Sequence, residues 1–304
     1  MNKHADHNIH ARHHALRKLF VNNPDAKRVS HAIAEVVGEY QAAQEDGGRF
    51  ESRGVAVLGK SGAGKSASVE NALSELGLYE TKPGDAPRPF LIVELSAKAS
   101  LRAVGADTLT EFGWEALSRD NAQTIWKKAM GYMRDLETFI LVLDEIQHVR
   151  SAGKDDRESL TSFLKTLVLP RPKAIIPIVV GMSTFTEVLH SDDQLRRRYT
   201  QVNLRNLDPA IDLNKAIKSL NQYAIAAEIG LGSCVRTTEF AARLLHASRY
   251  SFGEMCAYCR AGIKQAMSDD STEVRTEHFQ DAYRLKTDCL PALNPFIATD
   301  FPNI

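Results

Sequence analysis

The chain has 304 residues, 43% of them hydrophobic and 25% charged, which is the composition of a globular protein with room for two modest domains. Its 38 basic and 38 acidic residues cancel, which excludes a strong overall basic charge, so any DNA contact must come from a local patch. No apolar run is long enough for a membrane helix, no signal peptide is indicated, and four cysteines are too few for a disulfide framework, so we expect a cytoplasmic protein.

An N-terminal helical lead is predicted for residues 1–50. Five of the ten histidines lie within the first fourteen residues, where we expect a solvated, partly disordered end rather than a metal-binding tail. Apolar residues then recur at helical spacing over 15–20 and 26–44. The sequence Asp46-Gly-Gly48 ends the second of these predicted helices.

A phosphate-binding loop is predicted where the apolar residues 55–58 lead into glycine, lysine and serine. The pattern G-x-x-x-x-G-K-S fits in two registers, one beginning at Gly54 and one at Gly59. The first would place β-branched residues where free amide groups must face phosphate, so the second is favoured. In that register Lys65 reaches the β- and γ-phosphates of ATP, and the Ser66 hydroxyl ligates Mg²⁺. The predicted nucleotide-binding residues of this loop are Gly59, Lys60, Ser61, Gly62, Ala63, Gly64, Lys65, Ser66 and Ala67.

Strands and helices alternate over residues 51–206, which predicts a three-layer α/β domain with a parallel sheet. Beyond it, residues 207–290 indicate a small all-helical lid domain, followed by a tail of residues 291–304. The predicted strands cover residues 55–58, 90–95, 138–145, 174–181 and 202–204. The predicted helices after the loop cover residues 67–76, 101–113, 121–134, 160–169, 185–197, 211–229, 237–248, 252–267 and 276–287.

A pair of acidic residues follows the apolar run of residues 140–143. The run is typical of a strand buried on both faces of a parallel sheet, and it places Asp144 at the strand tip beside Ser66. There the Asp144 carboxylate can hold Mg²⁺ together with the Ser66 hydroxyl. Glu145 then points at the γ-phosphate and can polarise the attacking water.

The loop at Gly59–Ser66, the acidic strand tip, the strand ending at Gly181 and the helical C-terminal part together resemble an AAA+ ATPase. This resemblance implies Mg²⁺-dependent hydrolysis of ATP. It also implies that a small polar residue after the strand senses the γ-phosphate, with Ser183 as the first choice and Thr184 as the second.

The segment from Asp192 to Tyr199 is similar to the AAA+ segment that ends in an arginine before an aromatic residue. In that superfamily the arginine usually reaches into the ATP site of a neighbouring subunit, so the resemblance implies a homo-oligomer. By position the arginine is Arg198, with Arg197 as the alternative.

Within the AAA+ proteins the chain most resembles the TniB family of transposon NTP-binding proteins, relatives of the phage Mu B target-selection ATPase. The residues that carry this resemblance are Phe20-Val-Asn-Asn-Pro24, Asp144-Glu-Ile-Gln-His148, Asp193-Gln-Leu-Arg-Arg-Arg-Tyr199 and Asn294-Pro-Phe296. The resemblance implies a regulator of DNA transposition that forms a ring or filament on DNA with ATP and recruits or activates a transposase.

The candidate DNA contacts, Lys98 and Arg102, rest on analogy with related proteins. Two other functions remain open on the sequence alone. One is a helicase loader or protein-remodelling ATPase, and the other is a P-loop kinase that phosphorylates a small molecule.

The chain departs from many AAA+ lid domains at one position. Those lids place an arginine three residues after a glycine at a helix start, but here Gly253 is followed by Cys256. Arg260, one turn further on, is a possible substitute. Without the arginine we expect slow hydrolysis, or ATP acting mainly as a conformational clamp. Cys256 and Cys259 are predicted to be buried core residues rather than zinc ligands.

Overall fold

A computed structural model describes residues 3–47, 50, 52–82, 85–96, 100–151, 153–169 and 174–304. The chain divides into two compact units. We call the first the sheet unit, which comprises Asn23–Lys60 and Lys65–Leu204. We call the second the helical unit, which comprises Met1–Asn22, Ser61–Gly64 and Arg205–Ile304. No helix in the described residues is long and apolar enough to cross a membrane.

The sheet unit contains a five-stranded parallel sheet in the order β2-β3-β4-β1-β5. This is the α/β fold that the sequence predicts. The strands are β1 (Gly54–Leu58), β2 (Phe90–Glu94), β3 (Ile140–Asp144), β4 (Ile176–Gly181) and β5 (Tyr199–Asn203). The helices of this unit are α2 (Pro24–Glu45), α3 (Lys65–Glu75), α4 (Leu101–Glu111), α5 (Ala122–Asp135), α6 (Lys154–Leu167), α7 (Thr186–His190) and α8 (Asp193–Arg198).

Helices cover both faces of the sheet, because the strands are apolar on both faces. Every residue of β1 and of β4 is buried, as expected of strands inside a parallel sheet. Alternate strand residues such as Leu58 and Leu143 pack in one cluster with Val104, Ile125 and Leu164 of α4, α5 and α6. Helices α2 and α3 pack against each other and against β1. The result is the predicted three-layer arrangement.

One helix predicted in the sheet unit is broken in the structure. The sequence predicts a single helix from residue 185 to 197, but α7 ends at His190 and α8 begins at Asp193. Asp192 causes the break, because its Oδ1 accepts hydrogen bonds from Gln194 N at 2.9 Å and Leu195 N at 3.1 Å. An aspartate at this N-cap position starts a new helix rather than continuing the old one.

The helical unit contains α1 (Lys3–Lys18), α9 (Pro209–Ala226), α10 (Thr238–Ala247), α11 (Phe252–Ser268) and α12 (Thr276–Thr287). Its C-terminal region is helical, as predicted. It also contains a short parallel pair of strands, β6 (Gly230–Leu231) and β7 (Glu273–Val274), that the sequence did not predict.

Both ends of the chain pack in the helical unit. The N-terminal end, expected to be solvated and partly disordered, forms α1, in which Leu16 is buried and Arg12 Nη2 donates to the Ala227 carbonyl at 2.5 Å. The predicted lead of residues 1–50 is therefore divided, with α1 in the helical unit and α2 in the sheet unit. The predicted tail is part of the helical core, since Phe296 is buried there and Asn294 Nδ2 donates to the Gln280 carbonyl at 2.9 Å.

Candidate functional site

The loop between β1 and α3 has the backbone that a phosphate-binding turn requires. Residues 55–58 belong to β1, so the structure adopts the second of the two sequence registers. Gly62 and Gly64 have φ of 74° and 89°, a left-handed conformation that glycine adopts at little cost. No atom lies within 4 Å of the place where a Cβ of Gly64 would sit, so this side of the loop is open.

Lys65, the first residue of α3, is buried with its ammonium group close to two acids. Lys65 as a whole is only 8% exposed, and its Nζ donates to the Lys60 carbonyl at 3.0 Å. Burial lowers the pKa of Lys65, while the negative charges of Glu145 and Asp144 act in the opposite direction. Because an ammonium has three donors, this one retains donors for a phosphate oxygen.

Ser66 and Asp144 meet although β1 and β3 are not neighbours in the sheet. All five strands are parallel, so the residues that follow β1 and end β3 lie at the same carboxyl edge. The Ser66 hydroxyl donates to Asp144 Oδ2 at 2.6 Å. The sequence therefore predicts this pairing correctly.

The pair fits Mg²⁺ in its chemistry. A hydroxyl and a carboxylate are hard oxygen ligands, and Mg²⁺ typically takes one or two protein ligands and keeps several waters. Among the described residues no group of three or more His, Cys, Asp or Glu side chains could hold a metal ion. A two-ligand site that shares its ion with a bound phosphate is the arrangement that these residues suit.

Glu145 turns away from Asp144 immediately after the strand. Its φ of 57° is left-handed, a conformation that is uncommon for a residue other than glycine. Its backbone N–H donates to Asp144 Oδ1 at 2.7 Å, and its carboxylate accepts from Gln147 Nε2. The two acids thus have different partners.

Ser183 and Thr184 lie just beyond the end of β4, and both are exposed. They begin a short 3-10 turn, Ser183–Phe185, at the same carboxyl edge of the sheet as the loop. The preceding residue, Met182, donates its N–H to Gln147 Oε1 at 3.0 Å.

The arginines of α8 lie at the opposite edge of the sheet. Tyr199, which follows Arg198, pairs with Gly54 at the amino end of β1. A cavity of about 320 Å³ opens there, lined by Ser52, Arg53, Gln194, Arg197 and Arg198. Arg197 is exposed, whereas Arg198 is half-buried and donates Nη1 to the Val168 carbonyl at 3.3 Å. The structure does not bring either arginine to the loop of its own chain.

Cys256, which occupies the position of the missing sensing arginine, and Arg260, its possible substitute, both have partners within the helical unit. Cys256 and Cys259 are buried in the helical core, as predicted, and burial raises the pKa of Cys256 to about 11. Arg260 Nη1 donates to the Tyr223 hydroxyl at 2.8 Å, and the guanidinium lies over that ring. Arg260 is thus held by Tyr223 within the helical unit.

Gly253 is required for packing in the helical unit. A Cβ at this position would lie 2.2 Å from the carbonyl oxygen of Gly62, which belongs to the same unit. The glycine that the sequence singled out is thus explained by close backbone approach.

Of the two candidate DNA contacts, Lys98 lies outside the described residues. Arg102 is held by the loop after α4. Its guanidinium donates to the carbonyls of Asp120, Leu117 and Ser118 at 3.0, 3.2 and 3.3 Å. These bonds give Arg102 a structural role in fixing that loop.

Gln147 belongs to the motif Asp144-Glu-Ile-Gln-His148, but the sequence predicts no role for it. It lies two residues after Glu145 and bonds both Glu145 and Met182. Its position in the motif was the available signal, but spacing alone does not show where an amide side chain points. His148, next to it, is half-buried and hydrogen-bonds through Nδ1 to the Leu95 carbonyl at 2.8 Å.

Comparisons with known proteins agree with this geometry. A model of the family described as bacterial TniB protein matches residues 18–208. No curated protein matches the chain.

Three solved structures have similar folds at low identity. Cdc6p from Pyrobaculum aerophilum is 13% identical with a TM-score of 0.59, over 87% of this chain and 68% of that one. The Aeropyrum pernix ORC1 protein in complex with DNA is 16% identical with a TM-score of 0.55, over 86% and 64%. The Aeropyrum pernix ORC2 protein is 14% identical with a TM-score of 0.55, over 85% and 67%. The chain thus spans about two thirds of each of these proteins, and the likeness concerns the fold.

Proposed function

The chain belongs to the bacterial TniB family and is an ATPase with the AAA+ fold, and from this premise we propose that it regulates DNA transposition. In this proposal it binds ATP with Mg²⁺, assembles with copies of itself on DNA, and recruits or activates a transposase. Hydrolysis then ends the assembly. The observation that carries the ATP-dependent part of the proposal is the cluster of Lys65, Ser66, Asp144 and Glu145 at one edge of the sheet, with arginines at the other.

The four residues of the cluster have different roles in the proposed mechanism. Lys65 supplies a desolvated positive charge for the β- and γ-phosphates. Ser66 and Asp144 would hold Mg²⁺, and the ion would supply positive charge against the phosphate oxygens. Glu145, whose carboxylate is not used by Ser66, accepts a proton from the attacking water.

The position of the arginines supports a site completed by a second copy. A strand rises about 3.3 Å per residue, so the five residues of β1 separate the two edges by roughly 16 Å. Arg197 and Arg198 cannot reach across that distance to the phosphates held by their own loop. In the proposed assembly the neighbouring copy presents its ATP to the arginine-lined cavity, where a positive charge stabilises the transition state.

DNA and a transposase enter the proposal from the family rather than from the site. The TniB match supports a role in transposition, and one structure with a similar fold is an ORC1 protein in complex with DNA. With Arg102 bonded to its own loop, the surface that contacts DNA is left unassigned among the residues described.

The test uses Lys65→Ala, which removes the charge that binds phosphate. The wild-type protein should form assemblies on double-stranded DNA with ATP and Mg²⁺, observed by negative-stain microscopy, and the variant should not. Lys127→Ala, which removes an exposed lysine of α5 outside the loop, serves as the control and should retain assembly. DNA binding by Lys65→Ala that equals the wild type and ignores ATP would contradict the proposal.

The same preparation separates the other two functions. Release of phosphate should rise with DNA in the proposed function, with a protein client in a remodelling ATPase or helicase loader, and not at all in a kinase. A kinase would instead transfer phosphate to a small acceptor.

A further inference from the structure

Gln147 joins the acidic end of β3 to the residue that follows β4. Its amide nitrogen donates to Glu145 Oε2, and its amide oxygen accepts from Met182 N at 3.0 Å. Both ends of one half-buried side chain are therefore bonded within the sheet unit. An amide that bridges two groups in this way fixes the orientation of each relative to the other.

The backbone around Gln147 makes room for this bridge. A Cβ on Gly181 would lie 2.7 Å from Gln147 Oε1 and 2.6 Å from Cγ2 of the buried Ile146. A side chain at position 181 would therefore collide with the Gln147 amide, so only glycine fits at the end of β4. The carbonyl of Gly181 also accepts from Gly59 N at 3.1 Å. A continuous chain of contacts thus runs from the first residue of the phosphate loop through the end of β4 to Glu145.

Glu145 needs such a support more than Asp144 does. Asp144 is fixed by the Ser66 hydroxyl at 2.6 Å, whereas Glu145 itself has a left-handed backbone and lies just beyond the end of β3. We propose that Gln147 is a positioning residue that orients the Glu145 carboxylate for the attacking water and ties that orientation to the β4 end that carries Ser183. This inference rests on the proposed ATPase mechanism.

The first experiment separates positioning from binding. Gln147→Ala, and Gln147→Met as a variant of similar volume, should lower kcat about 10- to 100-fold, since small misplacements of a reacting group have effects of this size. KM and the affinity for a fluorescent ATP analogue should stay within about twofold, because neither Lys65 nor Ser66 is altered. Gln123→Ala on the exposed part of α5 is the control and should match the wild type in both.

A second readout needs no nucleotide. In the nucleotide-free protein, loss of the Gln147 acceptor should speed amide hydrogen exchange at Met182, and Gln123→Ala should not. Unchanged exchange at Met182 in both Gln147 variants would overturn the proposal.

A double-mutant cycle tests whether Gln147 acts through Glu145. In a Glu145→Gln background, Gln147→Ala should cause no further loss of turnover, because the group that it positions is already gone. Losses that multiply, or a kcat unchanged by Gln147→Ala in the wild-type background, would overturn the positioning role. A wild-type protein that does not hydrolyse ATP would instead contradict the proposed function itself.

Discussion

At the scale of single residues, two adjacent acids differ because the backbone turns between them. Asp144 is the last residue of β3 and is bonded to Ser66, while Glu145 has a left-handed φ and bonds Gln147. The Asp144 carboxylate is bonded to the Ser66 hydroxyl, the other proposed Mg²⁺ ligand, and is therefore suited to hold the ion. The other carboxylate, that of Glu145, is the proton acceptor in the proposed mechanism.

Glu145→Gln should therefore separate binding of ATP from its hydrolysis. The change keeps the size of the side chain but removes the proton acceptor, so we expect turnover to fall about 10²- to 10⁴-fold. Affinity for ATP should change little. Single-turnover hydrolysis and equilibrium binding of a fluorescent ATP analogue measure the two effects, and a variant that hydrolyses ATP at the wild-type rate would exclude Glu145 as the base.

The sequence predicts the place of a residue best where a strand or helix fixes it. Lys65, Ser66 and Asp144 each lie where a strand or helix begins or ends, so a correct element brings them together. Gln147 escaped assignment because its role depends on the direction of a long side chain. The choice between Arg197 and Arg198 was left open for the same reason, since only burial distinguishes neighbours on one short helix.

At the scale of elements, the start of α9 is fixed by a buried carboxylate. Asp212 is bonded through both oxygens to Arg205, at 2.6 and 3.0 Å, and to Lys215 at 2.8 Å. It also accepts from Asp208 N at 2.9 Å, in the first turn of the helix. The hydrogen bonds from Arg205 are the main cause that lowers the pKa of Asp212 well below its usual range.

Asp212→Asn should lower the free energy of unfolding by about 1–3 kcal/mol, because it leaves the cations around this position without their counter-charge. Water screens the charge of Arg205, whose side chain is 41% exposed, and this limits the loss of unfolding free energy. Urea unfolding measures it. Asp281→Asn, which breaks an exposed pair with Arg284 on α12, is the control and should cost less than about 1 kcal/mol.

The same carboxylate predicts how stability depends on pH. Its pKa is lower in the folded than in the unfolded chain, so its stabilisation is fully present above the unfolded value of about 4 and is lost as pH falls below it. The difference in unfolding free energy between the wild type and Asp212→Asn should therefore shrink in acid. A difference that is constant from pH 7 to pH 3 would contradict this assignment.

Elements were predictable where apolar periodicity was long, as in α9 to α12, whose bounds lie close to the predicted ones. The strands β6 and β7 have two residues each, too few for any period to register. The break at Asp192 was not predicted, because helical spacing of apolar residues continues on both sides of it. The hydrogen bonds by which Asp192 caps α8 end that continuity. Only the C-terminal end of α1 was predicted as a helix, because the polar, histidine-rich sequence of the first fourteen residues has no apolar period.

At the scale of the whole molecule, the proposed ATP site is incomplete in one copy. The loop and the acids lie at the carboxyl edge of the sheet, and Arg53, Arg197 and Arg198 line a cavity at the amino edge. Sequence reasoning predicted the parallel sheet, and parallel strands place the two groups at opposite edges. The division of residues 1–50 between two units, by contrast, depends on long-range contacts that no local pattern encodes.

The most direct test of this account mixes two inactive variants in the presence of DNA. Lys65→Ala has a defective loop and intact arginines, and Arg197→Ala/Arg198→Ala has the reverse, so each alone should hydrolyse little ATP. In random one-to-one oligomers about a quarter of the interfaces would pair an intact loop with intact arginines, and we expect about a quarter of the wild-type rate. Arg196→Ala, which removes an arginine of the same helix that pairs with Asp193, should be active alone. A mixture no more active than its two components would contradict a site shared between copies.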